Sequence, residues 1–322
     1  MSFNVLAPSL VLANRWLYRH TPRRFVDDRT ASLLRLITAL RCDVVCLQEL
    51  EQGLFEGAFT QALSEHAGVY MKRTGDQLDG VAVFVNKDRF EIVHAELVEY
   101  AKLAAGDRDN VAVVCLLACK RTGRRTIVAN THLLWNPKRG DIKLLQMQAL
   151  LDAVARVQDA YGDAGVPAVF VGDFNMVPNS MLYNYVVGAD VPPESEWHAK
   201  LISGQRRPSE AERVMLEADI DAIVAPPNPH AFWLASAYAP HTHSNGDSMA
   251  STWHQGGREL VDFVFYGSRR GFGIGEDGPH GIRLESLLNL PESTDMRMLP
   301  NRFHPSDHLP LVVQFQLLPR KK

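Results

Sequence analysis

Six stretches of the sequence place a chemically able polar side chain inside or at the end of an apolar run. Asn4 lies within Phe3-Asn-Val-Leu6, Glu49 ends Asp43-Val-Val-Cys-Leu-Gln-Glu49, and His132 ends Ile127-Val-Ala-Asn-Thr-His132. Asp173 and Asn175 close Ala168-Val-Phe-Val-Gly-Asp-Phe-Asn175, Asp262 interrupts Leu260–Tyr266, and Asp307-His308 precede Leu309-Pro-Leu-Val-Val313. A carboxylate ionised inside an apolar strand is costly unless it is paired or binds a metal. Taken singly, each has a local explanation: Asp262 as an ion-pair partner of Arg258, or Asp173 as a turn cap with Asn175 and Pro178. Recurrence at the same kind of position points instead to one shared cleft. Glu49 and Asp173 offer hard oxygen ligands, which suit Mg²⁺ better than zinc. His132 and His308 can donate to a phosphoryl oxygen, and Asp262 can fix the tautomer of a histidine. The inventory fits metal-assisted hydrolysis of a phosphate ester.

The elements that must position these residues read as short strands. Phe3–Leu6, Val44–Gln48, Val81–Val85, Val111–Leu117, Thr126–Thr131, Ala168–Gly172, Leu260–Tyr266 and Leu309–Phe315 are apolar runs of strand length. Helical periodicity predicts one helix over Arg29–Leu40, with Leu33, Leu36, Ile37 and Leu40 on a stripe behind Asp27 and Asp28. A second is predicted over Asp141–Val157, burying Ile142, Leu145, Leu151 and Val154. Many strands with few, unevenly placed helices predict an α/β sandwich, not a regular βαβ repeat. Gly188–His254 is rich in Pro, Ser and His, with a helical piece near Ser209–Ala218, and reads as a long surface loop excursion.

Composition bounds the function class. With 322 residues, 46% of them hydrophobic, the chain can bury a large core. A net charge of −3 argues against a protein that coats nucleic acid over its whole surface, though not against a local basic groove. Ser2–Leu12 has neither the cationic start nor the cleavage site of a secretory signal, and the longest uncharged stretch, Ala222–Gly246, is broken by four prolines. No membrane association is expected. Cys42, Cys46, Cys115 and Cys119 are too few for a disulfide framework and read as reduced, buried thiols, not zinc ligands, in a cytoplasmic setting.

Cys46-Leu-Gln-Glu49, Asn130-Thr-His132, Gly172-Asp-Phe-Asn175, Val261-Asp262 and Ser306-Asp-His308 resemble, in order, the motifs of the DNase I-like endonuclease/exonuclease/phosphatase superfamily. The ordered set spans Phe3–Phe315, nearly the whole chain. Inositol polyphosphate 5-phosphatases are less similar, because their Arg-containing signatures after Gly172-Asp173 and around Ser306-Asp307 are missing. The wording is similar to the deadenylase-like branch in Phe3–Leu6, Arg73-Thr-Gly75 with Asp79-Gly80, Asp107-Arg-Asp-Asn-Val111 and Asn130–Leu144. Within that branch it resembles the Angel proteins most, through Asp107–Asn110, Asn136-Pro-Lys-Arg-Gly-Asp-Ile-Lys-Leu144 and Ser203-Gly-Gln205.

The resemblance implies a four-layer α/β sandwich, two packed mixed sheets flanked by helices. One catalytic domain over 1–322 is expected, with the excursion at 188–258 inside it. It implies Mg²⁺, with Mn²⁺ substituting, held by Glu49 with Asn4, Asp173, Asp307 and His308. Asp173 would orient or deprotonate the attacking water and Asn175 would hold the phosphate. His308 would stabilise phosphoryl charge, oriented by Asp262, while His132 donates from the opposite side. Arg73, Asp79, Arg108, Asn110, Asn136, Pro137, Lys138 and Arg139 would line the substrate side. The implied partner is an RNA 3′ end, met by a monomer, and the implied activity is removal of a 2′,3′-cyclic phosphate. The alternative is 3′→5′ removal of adenylate. Poly(A) nucleases of the branch carry an adenine-stacking aromatic five positions before the strand Asp, where this chain has Gly257. A scaffold that has lost chemistry is disfavoured, since every expected catalytic position keeps its residue type.

Overall fold

The computed structural model describes residues 1–21, 29–102, 108–178, 180–189, 230–272, 274–275, 278–279 and 281–319. Its first sheet is built from runs that are apolar on both faces. In Val44–Glu51 (β2) and Asp79–Asn86 (β4), Val45, Leu47, Ala82 and Phe84 pack to one side, while Cys46, Val81, Val83 and Val85 pack to the other. A strand buried on both faces needs a cover on each. One cover is the helix Arg29–Ala39, which contributes Leu33 and Ile37; the other is a second sheet. Ser2–Asn4 (β1) runs parallel to β2, and His66–Lys72 (β3) closes the order β1-β2-β4-β3. The hairpin Ile282–Leu287 with Val313–Leu317 continues past β1 through a bridge between Ser2 and Leu311.

The second sheet has six strands in the order β5-β6-β7-β8-β12-β9. They are Phe90–Glu99 (β5), Val111–Cys119 (β6), Arg125–His132 (β7), Ala168–Asp173 (β8), Phe232–Ser236 (β9) and Asp262–Arg269 (β12). Between β9 and β12 lies a small hairpin of Thr252–His254 (β10) and Gly257–Glu259 (β11). The strands β7 and β8 are parallel, so their connection must cross over, and the crossover is the long helix Gly140–Ala160. That helix and Met181–Val187 pack their apolar sides on the outer face of the sheet through Leu144, Met147, Leu150, Val154 and Leu182. Helix, sheet, sheet and helix give the expected four-layer α/β sandwich.

Register does most of the positioning. The parallel pair sets His132 beside Asp173, and antiparallel β12 sets Asp262 beside Asp173 on the other side. Gly172 makes this possible. Its φ is +144°, and a Cβ there would lie 1.9 Å from the Thr131 carbonyl oxygen, so a larger residue would push β8 away from β7. The sheets are tied by Asn130, fully buried on β7. Its amide donates across the sandwich to the carbonyls of Leu47 at 2.9 Å and Ala82 at 2.8 Å, and its oxygen accepts from Gln48 Nε2 at 2.6 Å.

Several elements differ from the sequence reading. Part of the expected excursion is ordered sheet: Phe232–Ser236 is a strand burying Phe232, Leu234 and Ser236 alternately, a period hidden among prolines and histidines. The strands β3 and β5 were not anticipated because both are sheet edges, half-exposed and carrying charges such as Glu91 and Glu96. In the long helix Leu145 is only half-buried, whereas Lys143 is fully buried. Asp27, Asp28, Asp107, Ser203-Gly-Gln205 and the helical piece near Ser209–Ala218 lie outside the described residues. All four cysteines are free, with Cys46 and Cys115 buried. No helix among the described residues is long and apolar enough to cross a membrane.

The tie at Asn130 should dominate stability. Asn130→Leu removes three hydrogen bonds and leaves two carbonyls and the Gln48 amide buried without it. At roughly 1–3 kcal/mol per orphaned group, partly relieved by relaxation, a loss of about 3–5 kcal/mol is expected. Urea denaturation measures it, and a loss below about 1 kcal/mol would contradict the tie.

Candidate active site

The site forms where the two sheets end together. From the first sheet come Asn4 and Glu49. A bulge in β2 between Gln48 and Leu50 leaves Glu49 as the extra residue, with φ +54°, and the neighbouring Leu6 also has a positive φ of +56°. Left-handed non-glycine residues cost on the order of 1–3 kcal/mol, and here they re-aim a carboxylate and a chain end. Burial enforces the arrangement. The Arg29 guanidinium, itself buried, donates to the carbonyls of Val5, Leu6 and Pro305, and Ser306 Oγ donates to the Asn4 carbonyl at 2.7 Å.

Asp173 Oδ2 is the point on which the second sheet and the first converge. Asn4 Nδ2 donates to it at 3.1 Å and to Glu49 Oε1 at 2.9 Å. His132 Nε2 lies 3.5 Å from the same oxygen and His308 Nε2 lies 3.7 Å from it. The other oxygen, Asp173 Oδ1, accepts from the Asn175 backbone N–H at 3.0 Å, so this residue caps its turn as well as facing the cleft. His308 Nδ1 is 2.7 Å from Asp262 Oδ2. Arg258, the alternative partner considered for Asp262, donates instead to the Ser248 carbonyl. Glu49, His132 and Asp173 form one group, and Asp173, Asp262 and His308 another, whose ligand atoms lie within 4.8 Å of one another.

The electrostatics follow from burying these groups together. Burial, then repulsion by Asp307 and Asp79, pushes the Glu49 carboxyl up to about 7, against the Asn4 hydrogen bond and His308. Burial and the neighbouring Asp262 charge push Asp173 up to about 7, opposed by His308 and Asn4. Burial works against charge on His308, but Asp262, Asp307 and Asp173 outweigh it and hold the imidazole well above its usual range. His132 moves the other way: burial, Arg73 and His308 keep it neutral, so its approach to Asp173 is not an ion pair. Two hard carboxylates whose ionisation is resisted by burial and by neighbouring acidic groups form a donor set that a divalent cation would relieve. Glu49 and Asp173 therefore fit a metal, with Asn4 and His132 beside them.

Other sequence-singled residues lie around this cluster in different ways. Asp307 accepts from Tyr18 OH at 2.8 Å and belongs to neither metal-competent group. Arg73 donates through Nη2 at 2.6 Å and Nε at 3.1 Å to Asp79 Oδ1, close enough for Arg73 to depress His132 and for Asp79 to raise Glu49. Asn110 is buried and points inward, donating to the His132 carbonyl at 3.0 Å. That bond braces the segment carrying His132. Asn136, Pro137, Lys138 and Arg139 make the turn before the long helix, where Asn136 Oδ1 accepts from the Lys138 N–H and Arg139 pairs with Asp141. Arg108 is half-buried just before β6.

Residues that the sequence did not single out complete the site. Ser251 Oγ accepts from the N–H groups of Val261 and Asp262, Tyr18 holds Asp307, and Arg29 pins Val5 and Leu6. Lys143 Nζ donates to the Asn175 carbonyl at 2.5 Å. Only Lys143 left a readable signal, a charge at the head of the stripe Met147, Leu150 and Val154.

Comparison with known proteins places the chain. The model of the Endonuclease/Exonuclease/phosphatase family matches residues 1–308. Protein angel homolog 2 of Danio rerio is 30% identical over 367 residues, which cover 99% of this chain and 64% of that protein. The chain thus spans just under two thirds of that relative. The crystal structure of ANGEL2, a 2′,3′-cyclic phosphatase, in complex with adenosine-2′,3′-vanadate is similar with a TM-score of 0.83 and 31% identity, covering 98% of this chain and 94% of that one. The CCR4-Not complex 3′-5′-exoribonuclease subunit Ccr4 of Neurospora crassa is 22% identical over 391 residues, covering 100% of this chain and 46% of that protein. With nearly the whole length matched and the motif residues gathered at one end of a four-layer sandwich, the chain belongs to the endonuclease/exonuclease/phosphatase family.

Proposed function

We propose that the protein is a Mg²⁺-dependent phosphoesterase that removes 2′,3′-cyclic phosphate from RNA 3′ ends. The observation that carries the chemistry is the convergence of Asn4, His132 and His308 on Asp173 Oδ2 beside Glu49. The likeness to a cyclic phosphatase over 98% of the chain supports the substrate class. Mg²⁺ held by Glu49 and Asp173 would draw charge from a phosphoryl oxygen. Asp173 orients the attacking water and takes its proton, and the Asn175 amide holds the phosphate. His308, charged by its carboxylate neighbours, presents Nε2–H to the phosphorus-bound oxygens. Neutral His132 donates a single N–H from the other side. Water adds to phosphorus, one ring P–O bond breaks, and the ribose oxygen leaves with a proton; a second displacement of the same kind releases phosphate.

One observation bears on the adenylate exoribonuclease reading. Gly257 sits at the β10–β11 hairpin with φ +154°, and a Cβ there would meet nothing within 4 Å. The position expected to stack an adenine is open and has no ring, which favours a phosphate-directed pocket.

Matched RNA oligonucleotides ending in 2′,3′-cyclic phosphate, 3′-phosphate or a hydroxyl-terminated A-tract should be turned over in that order of preference. Shortening of the A-tract as the fastest reaction would replace the phosphatase reading with the exonuclease one. Glu49→Ala should lower turnover by on the order of 10³-fold or more and remove the Mg²⁺ binding heat, while melting near the parent temperature. Retained turnover at saturating Mg²⁺ would remove Glu49 from the metal site.

The pH profile tests the pair of Asp262 and His308. If the protonated imidazole is required, the rate falls as pH rises through its elevated pKa. Asp262→Asn takes away the nearest opposing charge, lowers that pKa and moves the alkaline limb of single-turnover cleavage to lower pH, alongside a loss of about 10²–10⁴-fold in rate. An unshifted limb with a lowered melting temperature would make Asp262 a stability residue only.

A further inference from the structure

Lys143 is a fully buried cation among the described residues that the proposed chemistry does not use. It opens the apolar stripe of the long helix, two residues after Asp141, in the stretch Gly140-Asp-Ile-Lys-Leu144 whose purpose the site chemistry leaves unexplained. Its one side-chain hydrogen bond among the described residues is to the Asn175 carbonyl at 2.5 Å. That peptide is unusual. Asn175 has φ +49°, its N–H donates to Asp173 Oδ1 at 3.0 Å, and its side-chain Nδ2 donates to the Leu133 carbonyl at 3.1 Å. Leu133 N–H in turn donates to the Asp173 carbonyl at 2.9 Å. The segment after His132 and the segment after Asp173 are therefore laced together at Asn175, and Lys143 secures that lacing from below.

We infer that Lys143 is a positioning residue for Asn175: its Nζ holds the carbonyl of a left-handed peptide and so aims the Asn175 amide at the phosphate. The inference rests on the proposed phosphoesterase reading. Asparagine enters the left-handed region more readily than most residues, so what fixes the geometry of Asn175 is its bonding to Asp173, Leu133 and Lys143. Asn175 is 3% exposed, so without the lysine its carbonyl would be a buried acceptor with a lost partner, and rotation of the peptide would be the way to regain water. The carbonyl turns through ψ, and a residue that leaves the left-handed region changes φ together with ψ, which swings the Asn175 side chain away from Leu133 and from the cleft. Burial pushes Lys143 down to about 7, against the pull of Asp173 and Glu259. The bond survives either protonation state, since ammonium and amine both offer an N–H.

A double-mutant cycle tests this. Lys143→Met, Asn175→Ala and the double variant are compared in single-turnover and steady-state assays on whichever of the three oligonucleotides the parent prefers, with melting temperatures in parallel. Acting through Asn175, Lys143→Met should lower kcat about 10–100-fold and leave KM within about threefold, the scale of an ångström-level misplacement. On the Asn175→Ala background it should change kcat less than about threefold. The same loss in both backgrounds would overturn the proposal, because a structural lysine acts regardless of the side chain at position 175. A crystal structure of Lys143→Met gives an activity-independent answer. Asn175 Nδ2 should have left the Leu133 carbonyl, and an unmoved Asn175 overturns the inference even if the parent turns over none of the oligonucleotides, a result that would count against the function reading alone. Should Lys143→Met fail to fold, Lys143→Gln, polar but one atom too short, replaces it in the cycle and the crystal. Failure of both to fold assigns the lysine to stability and overturns the positioning role.

Discussion

Everything at the end of this sandwich where the family motifs gather answers to the burial of carboxylates beside one another. Glu49 and Asp173 are pushed up to about 7 by lost hydration and by neighbouring negative charge. Such a cluster is tolerable only with compensation, and each surrounding feature supplies part of it. Asn4 donates to both carboxylates, the elevated imidazole of His308 brings positive charge, and a divalent cation would supply the remainder. The same cost explains the asymmetry of the two histidines. His308 has three acidic neighbours and holds a proton, whereas burial, with Arg73 and His308 nearby, keeps His132 neutral.

Holding the cluster together requires that two sheets end at the same height. Hydrogen-bond register accomplishes this within a sheet, aligning His132, Asp173 and Asp262 across three adjacent strands. Between sheets there is no ladder to do so. Asn130 takes that part by donating to carbonyls of two strands in the opposite sheet, one layer beneath the cleft. Buried polar ties of this kind are directional, so they specify a relative placement that apolar packing alone would leave free to slide. Strain is concentrated nearby, with Leu6, Glu49 and Asn175 all left-handed around the site and fixed by Arg29, by the β2 bulge and by Lys143.

Much of the fold and of the candidate site was legible in the sequence. Apolar runs announced the central strands, because a strand buried on both faces cannot hide its composition. The polar residues at their ends announced a cleft, because each would be too costly in isolation. The edge strands β3 and β5 were not legible, since half-exposed strands mix charges into their pattern, and β9 was masked by the prolines and histidines around it. The sequence alone thus determined which residue types face one another and what chemistry they can do.

Only the tertiary structure decided which partners they take. Between the two partners open to Asp262, the family resemblance named His308 and local reading named Arg258, and the fold pairs it with His308; Asp307 turned to Tyr18, and Asn110 donates to the His132 carbonyl. The last two are contacts between residues distant in the chain, chosen by register and by the meeting of two sheets, and no local pattern encodes them. The electrostatic assignments are of the same origin. A histidine at a strand end is simply a histidine until burial and charged neighbours make one of the pair an imidazolium and leave the other neutral.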